Sequence, residues 1–180
     1  MRLKERNRCN HRDYQNICVN GARSGSLGSK IAKTLHRNKN TDHPAIVFFA
    51  PVGNDICTPR SSGRGTEPQV FYENVLKALD TFDERLPKGS SVVFIGLVDG
   101  RILYNGLHNL THPLGPTYSN VYDYLSCMES NPCWLWLNTN ETWRNHGSRR
   151  AQELNAQYAR VNSNSIFFNL FILKYLDHER

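Results

Sequence analysis

Residues 46–59, IVFFAPVGNDICTP, pass from an apolar stretch into Gly53-Asn54-Asp55: a glycine, an uncharged amide and a carboxylate in direct succession. The Asn54 side-chain amide can donate to a developing oxyanion, and Gly53 lets the backbone turn close to a bound group. The same residues also suit an ordinary turn, in which Asn and Asp side chains bond nearby backbone N–H groups. Asp55 would oppose negative charge if it faced a reacting oxygen, so it is expected to turn away and hold the loop backbone. A second loop, NHRDYQNICVNGARSGS at 10–26, contains Gly21, which can present its backbone N–H to the same oxygen because no side chain obstructs the approach. One backbone donor and one amide donor on neighbouring loops are two parts of an ester-hydrolase site. The third part, a nucleophile, is not evident: Ser24, Ser26 and Ser61 lie in polar loops and read as solvent-exposed turn residues.

Regular elements must bring these loops together. The runs PAIVFFA at 44–50, SVVFIGL at 91–97 and SIFFNLFIL at 165–173 are continuous and apolar, which predicts parallel strands buried on both faces. Between the first two, Phe71, Val75, Leu79, Phe82 and Leu86 recur at helical spacing; Thr66 with Gln69 resembles a capping box, and Pro68 suits a first turn. Leu27, Ile31 and Leu35 predict a helix over about 26–37, and Ala151, Leu154, Tyr158 and Val161 another before the third strand. The stretch from about 98 to 147 is rich in Gly, Pro, Asn and aromatics, with a short helix expected at 120–128. The fold expected is a doubly wound α/β domain, in which ligands sit beyond the carboxyl ends of the strands, where Gly53-Asn54-Asp55 falls.

The chain has 180 residues, enough for one core, and its 39% hydrophobic and 21% charged composition suits a folded domain. No apolar run approaches the about 18 residues of a membrane span, and the basic N-terminus has no apolar segment behind it. The net charge of +6 is accompanied by no recognition-helix, finger or RNA-platform pattern, so a nucleic-acid partner is not expected. Of the five cysteines, Cys127 and Cys133 can close a short loop across Pro132, and Cys9 or Cys18 can meet Cys57 if the fold brings the first loop to the third. The sequons at Asn109 and Asn140 carry meaning only in the secretory route. His108 and His112 are four apart, but Pro113 and Gly115 oppose a helix there and no third ligand is evident, so neither a metal nor a cofactor is expected. His11, Arg12 and Asp13 read as an ion-paired support for the Gly21 loop. Trp134, Trp136 and Leu137 form an apolar cluster that is either a local core or a contact for acyl chains or a partner.

The ordered words RNRCNHRDYQN, NGARS, PAIV followed by GNDIC, LHNLTHPLG and NPCW resemble the catalytic subunit of the acyloxyacyl-hydrolase family, within the GDSL, or SGNH, lipase–esterase superfamily. The resemblance covers nearly the whole chain. It implies a flavodoxin-like three-layer α/β/α fold over residues 1–180, with the irregular insertion at about 98–147. It implies an esterase that releases secondary fatty acyl chains from the lipid A of lipopolysaccharide, secreted or lysosomal, glycosylated, and aided by a small saposin-like subunit. The family's oxyanion glycine falls on Gly21 and its oxyanion asparagine on Asn54. Its Gly-Asp-Ser segment and Asp-x-x-His pair have no counterpart; Asp177-His178 has the wrong spacing. The chain is therefore expected to be the middle of a catalytic domain, inactive and marginally stable alone. A non-catalytic lipid-binding relative is the alternative.

Overall fold

The computed structural model describes residues 14–50, 52–60, 63, 65–97, 99–164 and 170–176, with backbone alone for 52, 162–164 and 170–176. Three parallel strands, β1 (Ile46–Phe49), β2 (Ser90–Ile95) and β3 (Leu170–Leu176), form one sheet in the order β1-β2-β3. Ile46 pairs with Ser91 and Phe49 with Phe94, while Val92 pairs with Ile172 ahead of an irregularity between Val93 and Ile95. The apolar run predicted as the third strand overlaps β3 at 170–173, and 165–169 lie outside the described residues.

Two long helices make the crossovers, α3 (Pro68–Arg85) after β1 and α6 (Glu141–Asn164) before β3. Both cover one sheet face, because Phe49 and its register partner Phe94 point the same way and meet rings from each helix. Phe82 of α3 lies edge-on to Phe49 at 6.1 Å, and Tyr158 of α6 stacks on Phe94 at 4.5 Å. Phe71, Val75 and Leu79 of α3, its C-cap Leu86, and Leu154 and Val161 of α6 are fully buried. Each such side chain contributes roughly 1.5–3 kcal/mol relative to exposure, and their spacing was the helical signal read in the sequence. The opposite face differs. Ile46 and Phe48 are 65% and 69% exposed, which corrects the expectation of a strand buried on both sides. Among the described residues, the covering helices lie on the Phe49 face alone.

The capping box predicted from Thr66 and Gln69 does not form. Glu67 is the N-cap of α3 without a side-chain bond, Pro68 takes the first turn as expected, and the Thr66 hydroxyl is used elsewhere. The predicted first helix is a composite segment, α1: a turn of α-helix at Ser24–Ser26, a π-helical stretch at Leu27–Ile31 and a 3-10 turn at Ala32–Thr34. It lies directly against α3: a Cβ on Gly28 would stand 2.8 Å from the Ala78 nitrogen. The glycine that lowers helix propensity is the one that allows this backbone approach.

The insertion carries α4 (Arg101–Leu107) and α5 (Tyr118–Cys127), the latter close to the short helix expected and N-capped by the Thr117 hydroxyl, which accepts from Asn120 N. Neither predicted cysteine pairing occurs among the described residues. Cys57 is bonded to Cys133, 76 residues away, and Cys18 and Cys127 are free and exposed; Cys9 lies outside the described residues. Pairing follows the fold: the Trp134 N–H donates to Thr58 O at 3.2 Å, so the segment after β1 already lies beside 133–134. Trp134 and Trp136 are buried, and the Trp136 Nε1–H donates to Ser148 Oγ at 3.1 Å, which makes this cluster core. Among the described residues, no helix is long and apolar enough to cross a membrane.

Candidate active site

Gly53, Asn54 and Asp55 fall in a single helical turn, α2 (Val52–Ile56), immediately beyond the carboxyl end of β1, rather than in the irregular loop expected. Neighbouring side chains on that turn point different ways. Asn54 is partly exposed and lines a cleft of about 390 Å³, together with Gly21, Ala22, Ile17, Val19 and Phe48. Asp55 has no exposed surface at all.

Gly21 adopts φ +74°, a conformation that strains any residue with a side chain. It sits in the turn closed by the Ala22 N–H donating to Val19 O at 3.1 Å. No protein atom lies within 4 Å of where its Cβ would stand. Open space is therefore available for a ligand oxygen beside this glycine. Asn54 Nδ2 donates to Ala22 O at 2.8 Å, which ties the amide directly to the Gly21 loop. An amide nitrogen carries two protons, so one N–H is used by Ala22 and the second can serve a ligand. The sequence reading placed Gly21 and Asn54 on neighbouring loops; both line one cleft, and Asn54 is bonded to Ala22, the residue after Gly21.

Asp55 turns away from the cleft, as expected, and does more than hold its own loop. Its Oδ2 accepts from Ser24 N at 2.9 Å, and its Oδ1 accepts from Ser24 Oγ at 2.7 Å and Thr66 Oγ1 at 2.6 Å. Asn74 Nδ2 of α3 in turn donates to Ser24 Oγ at 3.1 Å. Burial raises the Asp55 pKa above its ordinary value of 3.8, opposed by the bonds from Thr66 and Ser24 and by the charge of Arg23. This corrects the reading of Ser24 as an exposed turn residue: it is 1% exposed, and its hydroxyl is committed to a carboxylate. Ser26 bonds Arg23 O, and Ser61 lies outside the described residues. Sequence reasoning missed Ser24, Thr66 and Asn74 because their partner is remote in the chain. The available signal was Asp55 itself, a carboxylate beside an apolar strand with no cation within four residues on either side.

His108 caps the end of α4, its ring Nδ1 3.0 Å from Tyr104 O, whereas His112 lies in the turn closed by the Thr111–Thr117 bridge, its Nδ1 accepting from Leu114 N at 3.2 Å. No cluster able to hold a metal occurs among the described residues. His11, Arg12, Asp13, Asp177 and His178 lie outside them.

The GDSL-like Lipase/Acylhydrolase model matches residues 1–178. The chain belongs to this family. Over 99% of its length it is similar to proteins named acyloxyacyl hydrolase, 43% identical to that of Oryctolagus cuniculus and 42% to that of Homo sapiens. The relative from Mus musculus is 41% identical. The chain spans 33% of the rabbit relative and 32% of each of the other two. That membership agrees with the α/β arrangement of the described sheet and its covering helices.

Proposed function

We propose that this chain is the oxyanion-binding part of a carboxylic-ester hydrolase that releases secondary fatty acyl chains from the lipid A of lipopolysaccharide. Gly21 N–H and the free N–H of Asn54 donate to the oxygen that gains charge when the ester carbon is attacked. The observation that carries this reading is the Asn54–Ala22 hydrogen bond at the mouth of a largely apolar cleft, which keeps two donors together where an acyl ester can enter. Preorganised donors of this kind stabilise a transition state because they need no reorientation as charge develops.

The chemistry also needs an activated hydroxyl and a base to carry its proton. The 180 residues hold no Gly-Asp-Ser segment and no Asp-x-x-His pair, so the isolated chain is proposed to be inactive and to work only with residues supplied from elsewhere. The proposal includes a flavodoxin-like three-layer arrangement, in which further helices cover the Ile46 and Phe48 face. It also includes a single domain with an insertion at about 98–147, a saposin-like partner, and a secreted or lysosomal location; both sequon asparagines, Asn109 and Asn140, are exposed.

The test compares fatty-acid release from lipopolysaccharide by the purified chain and by a protein extended to its relatives' length. The chain alone is expected to release none. The extended protein is expected to release fatty acid, and Asn54→Ala to slow it about 10²–10³-fold. Full activity with Asn54→Ala would refute the assignment.

A further inference from the structure

The polar cluster behind the cleft outweighs the needs of a turn. Asn54 and Asp55 are consecutive, and each grips the same short segment of the preceding loop: Asn54 at Ala22 O, Asp55 at the N–H of Ser24 two residues on. Gly21, which lines the cleft, is the residue before the first of these grips. Its position relative to Asn54 is therefore set by two hydrogen bonds of 2.8 and 2.9 Å from adjacent residues of one helical turn. The second grip is itself braced. The Ser24 hydroxyl and Thr66 hydroxyl both donate to Asp55 Oδ1, Asn74 of α3 donates to Ser24 Oγ, and the Thr66 N–H donates to Asp55 O at 2.7 Å. The start of α1, the turn after β1 and the segment leading into α3 thus meet on one carboxylate, next to residues that line the cleft.

We propose that Asp55, acting through Ser24 and Thr66, is the positioning residue that fixes the separation of the Gly21 and Asn54 donors; this rests on the oxyanion reading given above. A merely structural aspartate would stabilise the chain without setting what the cleft binds. A positioning aspartate must do both, because only Arg23 separates the gripped Ser24 N–H from the Ala22 carbonyl that orients Asn54. The chemistry also predicts which replacement suffices. An asparagine at this position keeps one oxygen for Ser24 N–H and offers an NH₂ to two hydroxyls that can reverse and accept. An alanine leaves all three donors without an acceptor.

The experiment uses the 15N-labelled chain and sodium octanoate, whose carboxylate oxygens stand in for the oxyanion. In the wild-type chain, octanoate is expected to shift the Gly21 backbone amide and the Asn54 side-chain NH₂. Asp55→Ala is expected to weaken octanoate binding at least 10-fold and to displace the Asn54 side-chain resonances without the probe; Asp55→Asn is expected to restore binding to within about threefold. Ser24→Ala, which keeps the Thr66 bond, is expected to fall between them and carries the test if Asp55→Ala does not fold. A folded Asp55→Ala chain with unmoved Asn54 resonances and undiminished binding overturns the positioning role. Octanoate that shifts neither group in the wild-type chain overturns the oxyanion reading instead, and the probe-free Asn54 resonances still report on Asp55.

Discussion

Two carboxylates stand beyond neighbouring strands of this sheet, and the fold treats them oppositely. Asp55 follows β1, is wholly buried, and is held by a backbone N–H and two hydroxyls; burial raises its pKa. Asp99 follows β2, and its side chain is 46% exposed. Desolvation pushes its pKa up as well, but hydrogen bonds from Arg101 and Ser148 and the Arg101 charge outweigh it and bring the value to about 2. A neutral shell around a buried acid makes a stiff joint whose loss is costly in any charge state. A cation beside a half-exposed acid makes a contact that solvent screens. The joint lies under the candidate cleft. The surface pair begins the insertion, where Ser148 Oγ also receives the Trp136 indole N–H.

The difference can be tested by breaking each region. The largest effect is expected from Cys57→Ala with Cys133→Ala, which frees the segment after Asp55 from the insertion; a loop of 76 residues corresponds to about 4 kcal/mol in the chain-entropy account, measured as a fall in the urea midpoint under non-reducing conditions. Asp55→Ala follows, at about 2–4 kcal/mol, because buried donors lose their acceptor; Asp55→Asn should recover most of it. Asn54→Ala removes a single bond to Ala22 O and should cost about 1 kcal/mol. Asp99→Ala should cost less than about 1 kcal/mol, reduced further by salt. Equal losses for the two aspartates would erase the distinction drawn between them.

Acid titration sharpens it through sign. Asp99 has a folded pKa below its ordinary 3.8, so its contribution is present above 3.8 and is lost as pH falls toward about 2. Asp55 has a folded pKa above 3.8, so the folded chain binds its proton more tightly; its contribution is largest below 3.8 and declines as pH rises through the raised value. Urea midpoints collected upward from pH 2 should therefore show Asp99→Asn flattening the acid limb, whereas Asp55→Asn removes a decline above it.

Regular elements and site residues were legible to different degrees, for physical reasons. The helical spacing of Phe71, Val75, Leu79 and Phe82 marked α3, because one buried stripe imposes its period on the sequence. The apolar run at 46–49 marked β1, but could not report that Ile46 and Phe48 face outward, since exposure depends on what covers the sheet. Gly21 and Asn54 were legible as residue types capable of donation, and the family words gave them their order. The bonds from Ser24, Thr66 and Asn74 were not, because hydroxyls and amides serve caps, turns and carboxylates equally well, and the choice depends on which element arrives beside them. For the same reason Thr66 read as a cap and is an Asp55 ligand, and Cys133 read as a partner of Cys127 and is bonded to Cys57.

The sequence by itself determined the periodic elements, the family and the two donor types, because these rest on local pattern and on ordered words within the chain. Only the tertiary structure decided which cysteines join, which sheet face is covered, and that a buried carboxylate fastens three segments beneath the cleft. Those outcomes require groups remote in the chain to meet, and contact at a distance leaves no period for a sequence to display.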